Sequence, residues 1–220
     1  GEDFAIASAS PERFLRLDRG TATARPIKGT RPRSADPAQD MRLRDALQAS
    51  AKDHAENVMI VDLLRNDLGR VARTGTVQVE ELFGIEAHPS VWQMVSTVRA
   101  RLREKLGPAD LLRACWPPGS MTGAPKIRAM QIIEELEQLP RGPYAGSIGY
   151  LDGAGSVDLS VVIRTAVVSG GRVMLQLGSG IVADSDPAAE LEESYAKGRL
   201  LMQALGSSVR RVVAPAAQVP

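Results

Sequence analysis

Alternating apolar and polar residues open the chain and predict two strands. Residues 3–9 form the first run, and within residues 13–18 Leu15 and Leu17 are separated by a charged residue, as in a strand with one buried face. The Asp-Arg-Gly sequence at residues 18–20 is typical of a tight turn. We therefore expect two short strands, the second of which enters a hairpin.

The spacing of apolar residues then changes to that of a helix. From about Pro37 to a turn at residues 66–69, positions on one helical face recur every three or four residues. They are Leu43, Leu47, Ala51, His54, Val58, Val61, Arg65 and Leu68, and all but the arginine can face a core. Similar patterns predict a short helix over residues 110–114 and longer ones over residues 125–138 and 187–205.

The other apolar segments alternate with a period of two. Residues 77–79 predict a short strand and residues 90–103 a longer one. Residues 144–183 predict an antiparallel meander with hairpin turns at residues 152–155 and 169–171. Hairpins interleaved with long helices, in place of βαβ spacing, predict the α+β class with antiparallel sheets.

Composition narrows the class of protein. The chain has 220 residues, 44% of them hydrophobic and 24% charged, and a net charge of +1, which fits one large globular domain and offers no electrostatic basis for binding nucleic acid or an anionic membrane. No apolar run approaches the roughly 18 residues of a membrane span. The single cysteine excludes an internal disulfide and a cysteine metal cluster. We therefore expect a cytoplasmic enzyme.

A lysine in the segment Pro26-Ile27-Lys28-Gly29-Thr30 is the first candidate for chemistry. Pro26 fixes its own φ angle, and Gly29 permits a close backbone approach to a ligand, so we interpret the segment as a turn. By itself it is most simply a surface turn with a solvated lysine. Four further segments change this interpretation: residues 10–12 (Ser-Pro-Glu), 52–57 (Lys-Asp-His-Ala-Glu-Asn), 119–126 and 190–197.

Together the five segments resemble those of chorismate-utilising enzymes. With its lysine at position 28, the turn resembles that of the aminodeoxychorismate synthases, whereas the similar anthranilate synthases usually carry alanine at this position. The resemblance covers residues 1–205, which correspond to the C-terminal half of a typical family member. It implies two facing, mainly antiparallel β-sheets that form a sandwich flanked by helices, with the N-terminal part of the fold missing. We expect a catalytic domain over residues 1–206 and a disordered tail over residues 207–220.

Three glutamates are candidates for a metal site. From spacing alone, Glu190 and Glu193 are acids near a helix N-terminus, and Glu56 is a solvated helix residue. The resemblance implies that Glu56 and Glu193 bind Mg²⁺ and that Glu190 helps directly or through water. Two carboxylates, waters and a substrate carboxylate suit this hard cation.

Tyr144 and Arg164 are the predicted substrate pair. An arginine in the apolar strand predicted over residues 159–165 needs an anion, which a dicarboxylate such as chorismate or a core acid would supply; otherwise it faces water. The Gly-Ser-Gly turn offers backbone N–H groups to a carboxylate, and hydroxyls before a helix could hold substrate. The further substrate-binding candidates are Gly178, Ser179, Gly180, Lys197, Thr30 and Ser120.

Glu12 and Lys28 are the catalytic candidates, 16 residues apart. The resemblance implies that Glu12 protonates the departing C4 hydroxyl of chorismate while Lys28, which must be neutral, attacks C2. Ammonia then adds at C4 and expels the lysine. Gln93 stands where anthranilate synthases carry a histidine tied to pyruvate elimination, and glutamine cannot act as a general base. We therefore expect 4-amino-4-deoxychorismate as the product.

The sequence also bears on the source of ammonia and on two alternatives to the amination of chorismate. Cys115 lacks the sequence context of a glutaminase nucleophile, so ammonia would come from a separate glutamine amidotransferase subunit or from free ammonium. One alternative is an anthranilate, isochorismate or salicylate synthase, against which Lys28 and Gln93 argue. The other is an inactive fragment that binds chorismate.

Overall fold

The structure is a computed structural model that describes residues 3–183 and 185–206. Its strands are β1 (Phe4–Ser8), β2 (Arg13–Asp18), β3 (Thr21–Arg25), β4 (Ile27–Pro32), β5 (Gln78–Ala87), β6 (Val91–Arg101), β7 (Ser147–Leu151), β8 (Val157–Val161), β9 (Thr165–Ser169) and β10 (Arg172–Leu175). Its helices are α1 (Pro37–Gln48), α2 (Ala51–Gly69), α3 (Pro108–Cys115), α4 (Gly119–Thr122), α5 (Lys126–Leu136) and α6 (Pro187–Ala204).

Residue contacts divide the chain into two compact units that alternate along the sequence. Unit 1 comprises Gly1–Pro11, Met121–Ser147 and Val161–Pro220, and unit 2 comprises Glu12–Ser120 and Ile148–Ser160. The prediction of one catalytic domain over residues 1–206 stays a prediction. The predicted tail over residues 207–220 lies outside the described residues.

Unit 2 is built on a seven-stranded sheet in the order β4-β6-β3-β2-β8-β7, with β5 also paired to β6. The pairs of β2 with β3 and β8, and of β6 with β3, β4 and β5, are antiparallel. The predicted turn between β2 and β3 is confirmed, and it uses positive φ angles of 47° at Arg19 and 76° at Gly20. The core of the unit includes Leu15, Leu47, Ile60, Leu68, Met94 and Val98, each at most 2% exposed.

The long helix predicted from Pro37 is wrong, because two helices occupy that segment. Helix α1 ends at Gln48 and α2 begins at Ala51. Ser50 separates them, and its hydroxyl accepts a hydrogen bond from the Asp53 backbone N–H at 3.3 Å. Such an N-cap satisfies a backbone donor at the start of a helix. The helical backbone is therefore broken at Ser50, although the spacing of apolar residues in the sequence continues across it.

The turn predicted at residues 26–30 is wrong as well, because most of the segment belongs to strand β4. Ile27 pairs with Val95 and Thr30 with Gln93, and the register shifts between the two pairs. Gly29 has a φ of 89° inside this irregularity. A glycine with positive φ is typical of a β-bulge, so the permissive residue bends a strand where we expected a turn.

Unit 1 contains a second antiparallel sheet in the order β1-β9-β10. The Ser8 and Thr165 hydroxyls form a hydrogen bond of 2.8 Å where β1 and β9 meet. The meander predicted over residues 144–183 is therefore divided, because β7 and β8 join the larger sheet and β9 and β10 pair with β1. The α+β class with mainly antiparallel sheets is confirmed; the facing of the two sheets stays a prediction.

No helix among residues 3–183 and 185–206 combines the length and the apolar character of a membrane span.

Candidate functional site

The candidate residues of unit 2 gather around strand β4 and helix α2. Lys28 and Thr30 flank Gly29 in the bulge, and both are partly exposed or exposed. A Cβ added at Gly29 would lie 2.8 Å from Asp53 Cγ, so β4 approaches α2 as closely as a glycine allows. The bulge thus places Lys28 beside the N-terminal turns of α2.

Glu56 lies on α2, three residues after Asp53. Its side chain is 18% exposed, and its Oε1 is 3.9 Å from Lys52 Nζ one helical turn earlier. The spacing i,i+4 is that of a weak helix ion pair. A carboxylate so placed keeps oxygen atoms that can be offered to a cation.

Glu12 and Ser120 line one small cavity in unit 2. The cavity has a volume of about 10 Å³ and is also lined by Pro26, Ile60 and Leu64. Glu12 is only 7% exposed. A volume of this size holds about one water molecule, so the cavity surrounds a buried acid and is too small for a ring substrate.

In unit 1 the candidates Lys197, Glu193, Gly178 and Tyr144 lie close together. Lys197 Nζ is 2.6 Å from Glu193 Oε1 and donates to the Gly178 carbonyl at 3.3 Å. A Cβ added at Gly178 would lie 2.9 Å from the Tyr144 hydroxyl. The Gly-Ser-Gly segment therefore packs between α6 and Tyr144, and Gly180 follows in the same loop with its backbone exposed.

Glu190 is held by serine hydroxyls in unit 1. The Ser185 hydroxyl donates to Glu190 Oε1 at 2.7 Å and accepts from the Val182 N–H at 3.1 Å. Ser194 donates to the Glu190 backbone carbonyl at 2.9 Å, and Ser179 contacts the same carbonyl at 3.4 Å. Ser185 was missed by the sequence reasoning, because a serine before a helix is an ordinary loop residue in sequence.

Arg164 lies in the bend between β8 and β9, so its prediction within a strand is wrong. Its φ is 50°, and its carbonyl accepts from the Ala9 N–H at 3.1 Å. A positive φ is uncommon in residues other than glycine, and the cases that occur cluster at functional sites. The irregular backbone therefore places this arginine where β8 and β9 part.

Tyr144 lies within reach of two arginines of unit 1. Burial raises the pKa of the Tyr144 hydroxyl above its ordinary value of 10.0, and the positive charges of Arg141 and Arg164 oppose that shift. The Arg141 guanidinium lies 5.9 Å from the ring centroid and donates to the Met121 carbonyl at 3.0 Å. Tyr144 is thus a neutral hydroxyl at physiological pH. Arg141 was missed, since next to glycine and proline it predicted only a helix end.

Comparison with known proteins identifies the family. The model of the chorismate binding enzyme family matches residues 1–203. The chain belongs to this family. The family resemblance seen in the five segments is therefore confirmed.

Relatives with established names fall in two groups within the chorismate binding enzymes. The chain is 54% identical over 205 residues to an aminodeoxychorismate synthase of Streptomyces griseus, covering 93% of the chain and 28% of the relative. It is 52% identical to an aminodeoxychorismate synthase component 1 of Klebsiella aerogenes, covering 94% and 46%. It is also 49% identical to an anthranilate synthase component 1 of Streptomyces coelicolor, covering 96% and 40%. The chain thus spans less than half the length of these relatives.

Solved structures of chorismate binding enzymes share the fold. The anthranilate synthase component I of Streptococcus pneumoniae superposes with a TM-score of 0.81 at 40% identity, over 90% of the chain and 43% of that structure. The menaquinone-specific isochorismate synthase of Escherichia coli gives 0.83 at 28% identity, over 93% and 46%. Backbone similarity therefore extends across relatives with different named activities.

The predicted metal ligands are three carboxylates, those of Glu56, Glu190 and Glu193. Among residues 3–183 and 185–206, no three His, Cys, Asp or Glu side chains group closely enough to form a metal cluster. Glu190 and Glu193 offer carboxylate oxygens from α6, and Glu56 offers them from α2. Such donors fit Mg²⁺, which commonly takes one or two carboxylates and fills its other positions with water and substrate.

Proposed function

We propose that this chain carries the chemistry of an aminodeoxychorismate synthase, which aminates chorismate with ammonia to 4-amino-4-deoxychorismate. The observation that carries the proposal is Lys28 in the bulge of β4, beside the helix that bears Glu56. A lysine amine supplies a nucleophile, which an alanine at this position does not provide. Two of the relatives just described bear this name.

The proposed reaction is a double displacement. Lys28 Nζ attacks C2 of chorismate, the two conjugated ring double bonds shift towards C4, and the C4–O bond breaks. Glu12 gives its proton to the departing oxygen, which leaves as water. Ammonia then attacks C4, both double bonds shift back, the C2–N bond to Lys28 breaks, and the Glu12 carboxylate takes up the proton that the new C4 nitrogen releases. The lysine is regenerated, and nitrogen replaces oxygen at C4.

Residues of unit 1 are assigned to substrate binding. Arg164 and Lys197 carry positive charges suited to the two carboxylates of chorismate. The neutral Tyr144 hydroxyl can donate a hydrogen bond, and it is held against Gly178. Thr30 and Ser120 of unit 2, with Ser179 and Gly180 of unit 1, are assigned as further contacts.

Mg²⁺ is proposed as the cofactor. Glu56 and Glu193 would hold it directly, and Glu190, oriented by Ser185, would hold it directly or through water. When bound, the ion neutralises carboxylate charge on the substrate and the protein. Lys52 and Lys197, which pair with Glu56 and Glu193, neutralise those carboxylates in its absence.

Ammonia is proposed to come from a separate glutamine amidotransferase subunit. The Klebsiella aerogenes relative is named as component 1 of its synthase, a name that implies a second component. Cys115, the cysteine of this chain, is buried in α3. Buried cysteines are generally inert as nucleophiles, so this residue does not supply a glutaminase.

Anthranilate or isochorismate synthesis is the second candidate function, because relatives with those names share both sequence and fold. Gln93 argues against anthranilate. It is 7% exposed on β6 opposite Thr30, and an amide at that place cannot take the proton that pyruvate elimination releases.

Product analysis tests the proposal. The protein is incubated with chorismate, Mg²⁺ and ammonium, and products are separated by retention and mass. We expect aminodeoxychorismate from the wild type and almost none from Lys28→Ala or Lys28→Arg, because guanidinium stays protonated. Lys105→Arg, a change at an exposed lysine, should leave the product unaltered. Anthranilate, isochorismate or salicylate as the main product would assign the sister activity, and unchanged chorismate bound to the protein would favour a binding fragment.

A further inference from the structure

The bulge that carries Lys28 packs so tightly against the start of α2 that an added methyl group at Gly29 would not fit. A Cβ at Gly29 would lie 2.8 Å from both Asp53 Cγ and Leu47 Cδ1, closer than real Cβ contacts. Asp53 is therefore in direct van der Waals contact with the backbone next to Lys28. The position of this carboxylate sets how closely β4 can approach the helix.

An ion pair closes the same contact from the other side. Arg31 Nη2 is 2.8 Å from Asp53 Oδ2, and Arg31 Nη1 donates to the Thr30 carbonyl at 2.9 Å. One guanidinium thus joins the backbone of β4 to the first turn of α2. The Asp53 side chain is 13% exposed and that of Arg31 is 32% exposed. Partly buried, hydrogen-bonded pairs are screened less by solvent than surface pairs.

Asp53 is itself fixed in the helix. Its backbone N–H is capped by the Ser50 hydroxyl, and Glu56 follows three residues later on the adjacent turn. Residues three apart on a helix lie on neighbouring positions of one face. The spacing between the lysine strand and the metal-ligand candidate is therefore set through Asp53.

We infer that Arg31 and Asp53 are positioning residues for Lys28, acting through the bulge and not on the substrate. The inference rests on the proposed function of Lys28. A nucleophile must meet its carbon within a few tenths of an ångström, and a misplacement of 1 Å can lower the rate by about 100-fold. Loss of the pair frees β4 from α2 while leaving Lys28 in the chain.

The chain offers a matched control pair. Arg33 Nη2 is 2.8 Å from Asp40 Oδ2, with side-chain exposures of 32% and 10%. This pair also joins the β4 side of the sheet to a helix, but it lies past the end of β4 at Pro32. Its loss should lower stability without moving the bulge.

Steady-state kinetics with the purified full-length protein tests the inference on whichever chorismate product the wild type forms. Asp53→Asn keeps the volume of the side chain and removes its charge. We expect Asp53→Asn and Arg31→Gln each to lower kcat by about 100-fold with little change in KM, and the double variant to lose no more than either single one. Asp40→Asn should keep the wild-type kcat. Wild-type kcat in Asp53→Asn, or an equal loss in Asp40→Asn, would overturn the inference.

Hydrogen exchange separates this inference from the proposed function. Amides of residues 27–31 should exchange faster in Asp53→Asn and Arg31→Gln than in the wild type or Asp40→Asn, because the pair no longer restrains β4. If exchange is unchanged, the inference fails whatever the product is. If exchange accelerates but Lys28→Ala still forms wild-type product, the proposed role of the lysine fails and the restraint of the bulge stands.

Discussion

The hydroxyl of Tyr144 lies so near Gly178 that a Cβ at the glycine would come within 2.9 Å of it. The two residues are 34 positions apart in sequence, and Lys197 donates to the carbonyl of the same glycine. A methyl group here meets the end of a side chain that can rotate, so the substitution should move Tyr144 without unfolding the unit.

Gly178→Ala should therefore raise KM for chorismate clearly, while it lowers the free energy of unfolding only modestly. Displacing a packed side chain costs about 1 kcal/mol or more, and the displaced Tyr144 no longer presents its hydroxyl. Steady-state kinetics and thermal unfolding measure the two effects. In the Gly178→Ala, Tyr144→Phe double variant the stability loss should shrink, since the colliding oxygen is gone; an undiminished loss would show that another contact is responsible.

Gly29→Ala should destabilise the protein more than Gly20→Ala. Both glycines have positive φ, 89° and 76°, which costs an alanine about 1–2 kcal/mol. Only at Gly29 does the new methyl collide, with Asp53 and Leu47, which adds about 1–3 kcal/mol. Urea denaturation of both variants measures the difference. Equal losses would mean that the β4–α2 contact relaxes freely.

Asp40 should contribute stability that disappears in acid. The Arg33 guanidinium, followed by the Ser34 N–H and the Trp92 indole, lowers the pKa of Asp40 from 3.8 to about 2. A carboxyl group with a depressed pKa stabilises the fold above its unfolded pKa, and this contribution is lost as pH falls through the folded value. The stability difference between wild type and Asp40→Asn should be constant above pH about 5 and shrink between pH about 4 and 2.

Urea midpoints across this pH range test the Asp40 prediction. Asp45→Asn, which changes an exposed carboxylate in the same helix, serves as the control and should give a small difference at every pH. A difference for Asp40→Asn that persists at pH 2 would assign its effect to packing instead of charge.

Ser185→Ala should weaken Mg²⁺ binding by about 10-fold or more, as loss of a partner behind a metal ligand commonly does. The Ser185 hydroxyl donates to Glu190 Oε1, whereas Ser194 donates to the backbone carbonyl of the same residue. Ser194→Ala is therefore a matched control that should keep the wild-type affinity. Calorimetric titration of Mg²⁺ in the presence of chorismate reads both variants, and equal affinities would exclude Ser185 from orienting the carboxylate.

Sequence patterns predicted those strands and helix ends that are determined by a few neighbouring residues. Strand β2 occupies residues 13–18 as predicted. Helix α6 begins at Pro187 after Asp186, whose carboxylate accepts from the Ala189 N–H at 2.8 Å. Proline at the first helical position after an N-cap residue is a strong start signal, so this boundary is readable without tertiary information.

Pairing partners and bulges were not readable in the same way. Strands β8 and β9 follow each other in sequence but join different sheets, because β9 pairs with β1, far away along the chain. Alternation shows which face of a strand is apolar, not which strand lies beside it. Likewise, Ser50 interrupts a helical period that continues across it, and only the cap geometry reveals the break.

The candidate site was predicted by residue types in segments, while its supporting contacts were not. Lys28, Glu56 and Glu193 became candidates because the short motifs around them resemble those of the family. Arg31 and Ser185 look like ordinary loop residues in sequence, and their partners Asp53 and Glu190 identify them only once the chain is folded. Residues that orient a functional group are defined by distance, which sequence spacing alone does not encode.

The pairing of β2 with β8 has a consequence for synthesis on the ribosome. Arg13 on β2 bonds to Asp158 on β8 at 3.1 Å across 145 residues, so β2 gains its second neighbour only after almost all of unit 2 has been made. Until then one edge of the growing sheet exposes unpaired backbone groups, which invite association with other chains. A nascent chain that stalls before Val157 therefore carries an open sheet edge, and chaperones that cover such edges should bind it there.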